Sequence, residues 1–316
     1  MPSLRYVVRN MRELAAVPST DPDAADLEPF YSPRHYAWLG LPERKRQWSV
    51  GALELARAVL ANEFTHERSM RVSPSSLGTD CEREILFSYG GAPQQPRPAK
   101  IEDVMGSGSF EHLRWQMEGL SAGYLVDAEV WMHSAALRCG GSLDGIGSDS
   151  SLFEFKNTAS HLYEAISKGP EHLARALKRE AEGTGSAAAY AAHMVRKHKM
   201  QMETYWLLDS MQETPRLSTK GSLVYQDRAS KDVFEIRVQT HPGRRIEVHR
   251  ILEGLHDWID LNQLPDMLVG CEKAMGYGDS APSAKERTVY GRCAYREHCP
   301  TAQTVTMSSR KTVAKK

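Results

Sequence analysis

The stretch GSLDGIGSDSSLFEFKNT, residues 141–158, places charged side chains inside what its apolar pattern predicts to be two β-strands around a turn. Asp149 belongs to the turn, but Asp144, Glu154 and Lys156 lie among Leu, Ile and Phe. Charged side chains are rarely buried without a partner or a task. The stretch therefore predicts a functional site on a sheet.

Side-chain alternation along the strands predicts how these charges are arranged. In the second strand Glu154 and Lys156 share one face, whereas Phe153 and Phe155 share the other. In the first strand Asp144 has the parity opposite to that of the apolar residues before it. The two acids and the lysine are therefore expected to converge at one edge of a twisted sheet.

Two acids and a lysine in this arrangement suit phosphodiester cleavage. Oxygen ligands from Asp144 and Glu154, with the carbonyl of Phe155, would hold Mg²⁺ or Mn²⁺ and leave positions for water and phosphate. Lys156 would orient the nucleophile or stabilise the transition state. The alternative is a surface Glu–Lys pair beside a turn aspartate, and the spacing D-x9-E-x-K is equally compatible with it.

Length and composition restrict the class of protein. The chain has 316 residues with 40 Lys+Arg and 40 Asp+Glu, so any basic surface must be local. It contains no apolar run long enough to span a membrane, and its N-terminus lacks the apolar core of a signal peptide. Five cysteines do not make a disulfide scaffold in a chain of this length. We expect a soluble cytoplasmic protein without membrane association.

The apolar periodicity predicts an α/β fold with a central mixed sheet flanked by helices. Residues 18–42 are typical of an irregular lead-in and 92–100 of a loop. Helices are predicted over 48–64, from near 73, over 106–122, over 159–208 with a break near 183–185, and over 245–261. Strands are predicted over 124–132, 137–146 and 152–156, followed by a hairpin of 217–225 and 233–238.

Further motifs surround the opening stretch. They are Ser73-Pro-Ser-Ser-Leu77 with Cys81-Glu-Arg83, Gly108-Ser-Phe-Glu-His112, Glu129, and Gln201-Met-Glu-Thr-Tyr205. Together with Gly141-Ser-Leu-Asp144 and Glu154-Phe-Lys156, this ordered set resembles the RecB-like exonucleases of the PD-(D/E)xK nuclease superfamily, including CRISPR-associated RecB-like and AddAB-type iron–sulfur nucleases. The resemblance covers residues 73–300 and implies a restriction-endonuclease-like core in a protein of a bacterial or phage-infected cell.

The resemblance also implies roles for three residues outside the opening stretch. His112 would be a further metal ligand, and Gln201 and Tyr205 would contact a phosphate or nucleobase near the metal. Two of them have a structural alternative, since His112 suits a helix boundary and Tyr205 suits a core. Lys197 lies on the same helical face as the latter pair and is the best local phosphate-binding candidate. Glu129 is equally typical of a solvated strand residue.

The cysteines form a separate group around the predicted core. The family's iron–sulfur branch has one cysteine before the core and three after it, matched here by Cys81, Cys271, Cys293 and Cys299. The sequence departs from that pattern at Tyr290, where a cysteine is common, so Cys271 would replace it. The resemblance implies a [4Fe–4S] cluster, with zinc as the second alternative and no metal as the third. Cys139, in mid-strand, is expected to be a buried apolar residue.

Two functions of different classes remain open. One is a metal-dependent DNA exonuclease that cleaves single strands or duplex ends in recombination, repair or phage DNA processing, with a helicase or recombination protein as the partner that the resemblance suggests. The other is a non-catalytic DNA-binding module on a nuclease-like scaffold. In either case residues 1–70 are expected to be a helical N-terminal extension of unknown role, 71–300 the nuclease domain with a C-terminal cysteine-bearing segment, and 301–316 a disordered basic tail.

Overall fold

Five strands of the described chain form one mixed sheet. The computed structural model describes residues 30–42, 45–61, 70–79, 81–92, 94–96, 99–181, 186–266, 293–295 and 298–299. The strands lie in the spatial order β1 (Leu125–Ser134), β2 (Cys139–Gly147), β3 (Leu152–Thr158), β4 (Lys220–Asp227) and β5 (Val233–Gln239). The ladder between β3 and β4 is parallel, and the other ladders are antiparallel.

Helices cover both faces of this sheet. They are α1 (Tyr31–Leu39), α2 (Val50–Leu60), α3 (Glu82–Gly90), α4 (Ala99–Ala122), α5 (Ser160–Ser167), α6 (Pro170–Ala181), α7 (Ala187–Ser210) and α8 (Pro242–Asp260). None of these described helices is both long and apolar enough to cross a membrane.

Two apolar clusters hold the layers together. On one face, Tyr31 of α1 and Trp115 of α4 pack against Phe153 and Phe155 of β3. On the other face, α7 contributes Trp206 and neighbouring residues to a larger cluster with strand residues of β2, β3 and β4. The order α4, β1, β2, β3, α7, β4 confirms the predicted α/β fold with a restriction-endonuclease-like core. It places the two predicted motif helices, α4 and α7, on opposite faces of the predicted site strands.

The irregular lead-in predicted over residues 18–42 is wrong for the part of it that forms α1. The backbone N–H groups of Phe30, Tyr31 and Ser32 each lie 3.2 Å from the carboxylate of Glu235 on β5. A carboxylate at this position satisfies amide groups that a helix N-terminus leaves without partners. This capping residue lies more than two hundred positions away in the sequence, so the local sequence pattern does not predict the start of α1.

Two predicted helix starts also differ. The segment after Ser73 forms only a 3₁₀ turn, Pro74–Ser76, and the α-helix begins at Glu82. In the other case α4 begins at Ala99 instead of Gly106, so residues 99 and 100 of the predicted loop are helical. Prolines at positions 93, 96 and 98 predict a loop, but a proline just before a helix removes none of its hydrogen bonds, so α4 can begin directly after them at Ala99. The predicted break near 183–185 and the tail 301–316 lie outside the described residues.

Candidate active site

The site forms where β2 and β3 separate. These strands pair only at Gly145 with Phe153 and at Ile146 with Leu152, and β3 then continues along β4. Asp144 spans the gap, because its Oδ2 accepts a hydrogen bond from the Phe155 N–H at 2.7 Å. The N–H and C=O of one residue face the same side of a strand, so the carbonyl of Phe155 faces this gap as well.

Strand β2 is irregular at Asp144. Leu143 and Ile146 both belong to the core cluster under α7, although strict alternation would put residues three apart on opposite faces. On β1 the pairs on either side of this point are Ala128 with Gly145 and Val130 with Leu143, and Glu129 between them has a left-handed φ of 53°. The break in alternation directs Asp144 into the gap and away from either apolar face.

Glu154 is the most deeply buried acid at the gap. Its side chain is 1 % exposed, and its Oε1 accepts hydrogen bonds from Lys156 Nζ and, at 2.8 Å, from Gln201 Nε2. Its Oε2 is buried and has no hydrogen-bond partner among the described residues. Burying an acceptor without a partner is costly, so this oxygen is suited to a ligand that the described side chains do not supply.

Helix α4 brings His112 to the same place from the opposite face. Its Nδ1 lies 3.7 Å from Asp144 Oδ2, and its side chain is 27 % exposed. The ring stacks near Trp115, which is fully buried. His112 is therefore not a fully buried core residue but a partly buried imidazole directed at an acid.

The charges at the gap shift each other's ionisation. Burial opposes ionisation of Asp144, but His112 and Lys156 outweigh it and lower its pKa. Burial and the charge of Asp144 raise the pKa of Glu154 to about 7. Burial alone would lower the pKa of Lys156 and of His112, but the nearby carboxylates raise both. The gap thus holds one ionised acid, Asp144, and a second acid, Glu154, whose pKa lies near 7. It also holds the charged Lys156.

Gln201 and Tyr205 of α7 lie behind these acids. Gln201 is 6 % exposed and contacts Glu154, whereas Tyr205 is 2 % exposed and donates its hydroxyl hydrogen bond to the carbonyl of Ser142. These contacts join α7 to β3 and β2, and the predicted contact of Gln201 and Tyr205 with a phosphate or nucleobase remains a prediction. Gly141 is explained by this packing, because a Cβ there would lie 2.9 Å from Pro74 and 3.2 Å from the Tyr205 hydroxyl.

Lys197, the basic candidate on α7, contacts neighbouring residues of the protein. Lys197 Nζ lies 3.1 Å from Thr79 Oγ1, and its stem lies against Gly78, where an added Cβ would be only 2.3 Å from Lys197 Cγ. The predicted phosphate-binding role of Lys197 remains a prediction. The neighbouring His198, which sequence reasoning missed, is buried with its Nδ1 2.8 Å from the Tyr225 hydroxyl. Burial and the charge of Lys156 hold the pKa of His198 well below its usual value.

The donor set at the gap fits a hard divalent cation in its chemistry. Carboxylate, carbonyl and imidazole donors face the opening, and Glu154 Oε2 is buried without a hydrogen-bond partner in the described structure. The donors are not drawn together around one point, however, since no three His, Cys, Asp or Glu side chains of the described residues are arranged to hold one metal ion. His112 instead contacts Asp144, and Lys156 contacts Glu154.

Three of the four cysteines predicted to share a cofactor lie near the N-terminus of α3. Cys81 precedes this helix, and Cys299 packs with Phe87 and Tyr295, while Arg83 donates to the Cys299 carbonyl at 2.9 Å. Burial raises the pKa of the Cys81 thiol and that of the Cys293 thiol, the latter to about 11, and the other thiols of the group add to both shifts.

The remaining cysteines differ from this group. Cys271 lies outside the described residues. Cys139 is fully buried in the main core cluster, as expected of a small apolar residue. All four described cysteines are free thiols, so none is committed to a disulfide.

Solved structures similar to this chain include two of an alkaline exonuclease and one of a protein named SSO0001, all at low identity. The alkaline exonuclease LHK-Exo from Laribacter hongkongensis aligns with 63 % of this chain and 95 % of its own, at 17 % identity and a TM-score of 0.41. The same exonuclease in complex with dAMP gives 16 % identity and a TM-score of 0.39 over the same shares of the two chains.

A third solved structure, SSO0001, covers 81 % of this chain and 99 % of its own at 16 % identity, with a TM-score of 0.37. No protein-family model matches the sequence, and no curated protein does. Similarity this low carries no conclusion about activity, and the fold is assigned from its own strand order and helices.

Proposed function

We propose that the protein is a metal-dependent deoxyribonuclease that hydrolyses phosphodiester bonds at the gap between β2 and β3. The observation that carries the proposal is the Glu154 carboxylate, which is 1 % exposed and has one unpartnered oxygen beside Asp144 and Lys156. In the structural alternative, a surface Glu–Lys pair, both side chains would be solvated. Such a pair would not incur the free-energy cost of burying a carboxylate. Buried acids with shifted pKa values are typical of catalytic sites.

The described side chains divide the work in this proposal. Asp144, Glu154, His112 and the Phe155 carbonyl would hold Mg²⁺ or Mn²⁺, which when bound activates water and neutralises charge on the phosphate. Lys156 holds a positive charge at the gap, where it would stabilise the negative charge that develops on the phosphate. Gln201 fixes the Glu154 carboxylate, and Tyr205 fixes the backbone two residues before Asp144.

The finer assignment is a DNA exonuclease of the RecB-like type. Its support is the order of the motifs along the chain, from Ser73 through the opening stretch to Gln201 and Tyr205. The proposed substrates are single-stranded DNA and duplex ends, and the proposed setting is recombination, repair or phage DNA processing. A helicase or a recombination protein is the proposed partner.

A digestion assay tests this function. End-labelled linear DNA and covalently closed circular DNA, each single-stranded and duplex, are incubated with the protein and Mg²⁺, Mn²⁺ or EDTA. We expect loss of the linear substrates with either metal, intact circles, and no cleavage in EDTA. Cleavage of circles would indicate an endonuclease. Binding without cleavage under every condition would favour the non-catalytic DNA-binding module and refute the proposal.

We further propose that Cys81, Cys293, Cys299 and Cys271 hold a [4Fe–4S] cluster. The three described thiols lie near one another, yet no three described metal-binding side chains are close enough to share one ion. The ranking of a cluster over zinc rests on the resemblance of the four cysteines to the iron–sulfur branch of the family, and zinc bound by the same thiolates is the alternative. When bound, the cluster would tie α3 to the C-terminal segment and contribute to folding.

Protein purified without oxygen is therefore expected to be brown and to contain iron and sulfide. Alanine at Cys81, Cys293 or Cys299 should remove the iron and lower the melting temperature, because the metal binds only the folded chain. Cys139→Ala is the matched control and should keep the iron, since this thiol is buried in the core away from the group. One equivalent of zinc would select the zinc alternative, and stable metal-free protein would remove the cofactor.

A further inference from the structure

We propose that Gln116 is a positioning residue of the candidate active site, and that its amide, anchored by Glu129, fixes the backbone of Asp144 in the geometry that the reaction needs. The inference rests on the proposed function for its catalytic consequence. Gln116 lies on α4 one turn after His112, on the same helical face, and its side chain is 1 % exposed. Helix α4 therefore meets Asp144 twice, at its carboxylate and at its backbone.

The contact of Gln116 occurs where regular strand pairing stops. Asp144 lies between the paired positions Leu143 and Gly145 of the ladder with β1, and the ladder with β3 begins only at Gly145. Gln116 Nε2 donates to the Asp144 carbonyl at 2.9 Å. The side-chain amide thus takes the place of a ladder hydrogen bond at the one residue whose side chain must leave the sheet and enter the gap.

Glu129 determines which way the Gln116 amide faces. Its Oε1 accepts from the same Nε2 at 2.9 Å, so the two hydrogens of this nitrogen have two acceptors, one on β1 and one on β2. The backbone of Glu129 has a φ of 53°, a value that residues other than glycine rarely adopt. Glu129 thus has a strained backbone opposite the irregular point of β2, and it is hydrogen-bonded to Gln116, which contacts β2 at that point. This combination is expected where a fold positions one residue accurately.

The test is Gln116→Met, which keeps the approximate volume and removes both donors. Its matched control is Gln212→Met, because Gln212 Nε2 also donates to two acceptors, which here are the backbone carbonyls of His133 on β1 at 3.1 Å and of Leu208 at 2.8 Å. We expect the Gln116 variant to lower kcat and weaken Mn²⁺ binding, measured by calorimetry, by about tenfold to hundredfold, the range found when groups that orient metal ligands are removed. The KM for DNA should stay close to wild type, and the control should change neither quantity.

A second readout does not depend on catalysis. If Asp144 moves, the Phe155 N–H loses its acceptor, so its hydrogen exchange should accelerate relative to that of Val224 in the neighbouring strand. Normalising to Val224 separates this local effect from a general loss of stability. Unchanged Phe155 exchange together with unchanged Mn²⁺ affinity would overturn the inference. Wild-type protein that neither binds Mn²⁺ nor cuts DNA would instead refute the proposed function, and would reduce Gln116 to a structural residue whatever the exchange rates are.

Variants at Glu129 cover the case in which Gln116→Met does not fold. Glu129→Gln keeps an oxygen that can accept from Gln116, whereas Glu129→Leu does not. We expect Glu129→Gln to stay close to wild type in kcat and Glu129→Leu to fall as Gln116→Met does. Loss of activity in both variants would mean that the carboxylate charge itself is needed, which would overturn the positioning role.

Discussion

Asp144→Asn is expected to lower kcat/KM for DNA cleavage by at least about 10²-fold while leaving the protein folded. The amide oxygen can still accept the Phe155 N–H, so the bridge between β2 and β3 survives. The negative charge that pairs with His112 and Lys156 is lost, and with it one of the two proposed carboxylate ligands of the metal. A bound metal ion contributes several kcal/mol to transition-state stabilisation, and each ~1.4 kcal/mol is tenfold in rate, so weakening its site lowers the rate steeply.

The matched control is Asp149→Asn. Asp149 lies in the turn of the same hairpin and accepts from Ser151 N at 3.0 Å and from Ser151 Oγ, contacts that an asparagine oxygen preserves. Digestion of end-labelled DNA, with far-ultraviolet circular dichroism and DNA-binding curves for each variant, makes the comparison. Wild-type cleavage by Asp144→Asn would remove this residue from the site, and unfolding would give it a structural role only.

Much of this site could be predicted from the sequence because strand alternation is a local property. Phe153 and Phe155 face the cluster under α4, and Glu154 faces Gln201 on the other side, as parity predicts. Spacing on a helix is equally local, which is why Gln201 and Tyr205 were expected on one face. Both contact strand groups at the site.

The route of Asp144 into the gap could not be predicted in the same way. It depends on a break in alternation, and the matching strain is at Glu129, a residue type that gives no signal for a left-handed backbone. The break is held by Gln116 from another element, and a glutamine four residues after His112 is an ordinary helix residue in the sequence. For the same reason Glu129, which is equally typical of a solvated strand residue, is instead half-buried and bonded to Gln116.

The burial of Gln201 and Tyr205 on α7 could not be predicted from the sequence either. Whether Tyr205 contacts a ligand or a strand depends on how closely α7 approaches β2, and that distance is set by Gly141 and Pro74. The absence of a side chain at Gly141 lets the Tyr205 hydroxyl reach the Ser142 carbonyl. Helix α7 thus contacts Glu154 and the backbone of β2, and the other groups that face the gap come from β2, β3 and α4.

Glu154→Gln should abolish cleavage and at the same time stabilise the metal-free protein at alkaline pH. Burial and Asp144 raise the pKa of Glu154 to about 7, above the value of about 4.3 in an unfolded chain. The folded state therefore binds this proton more tightly than the unfolded state, and stability falls as pH rises from about 4.3 through about 7. Glutamine resembles the protonated acid at every pH and escapes this loss.

The measurement is urea unfolding of both proteins in EDTA at pH 5, 6.5 and 8. The gain in unfolding free energy of Glu154→Gln over wild type should be small at pH 5 and grow to the order of 1 to 3 kcal/mol at pH 8, since one pKa unit corresponds to about 1.4 kcal/mol. Titratable groups remote from Glu154 cancel in this difference, whereas His112 and Lys156 titrate differently once the Glu154 charge is removed and are part of the measured gain. A gain that does not change with pH would mean that the Glu154 carboxylate is ionised at no cost in the folded state.

Glu203 provides the contrasting buried acid. It is fully buried, but Thr240 Oγ1 at 2.5 Å, Arg245 Nε at 3.2 Å and His241 N at 2.9 Å all donate to its carboxylate. Glu203→Gln should therefore destabilise the protein and leave kcat unchanged, because an amide group would face donors and lose the ion pair. Opposite stability changes at two buried glutamates would follow from a single difference, an oxygen of Glu154 that the described protein leaves without a partner and that the proposed metal would occupy.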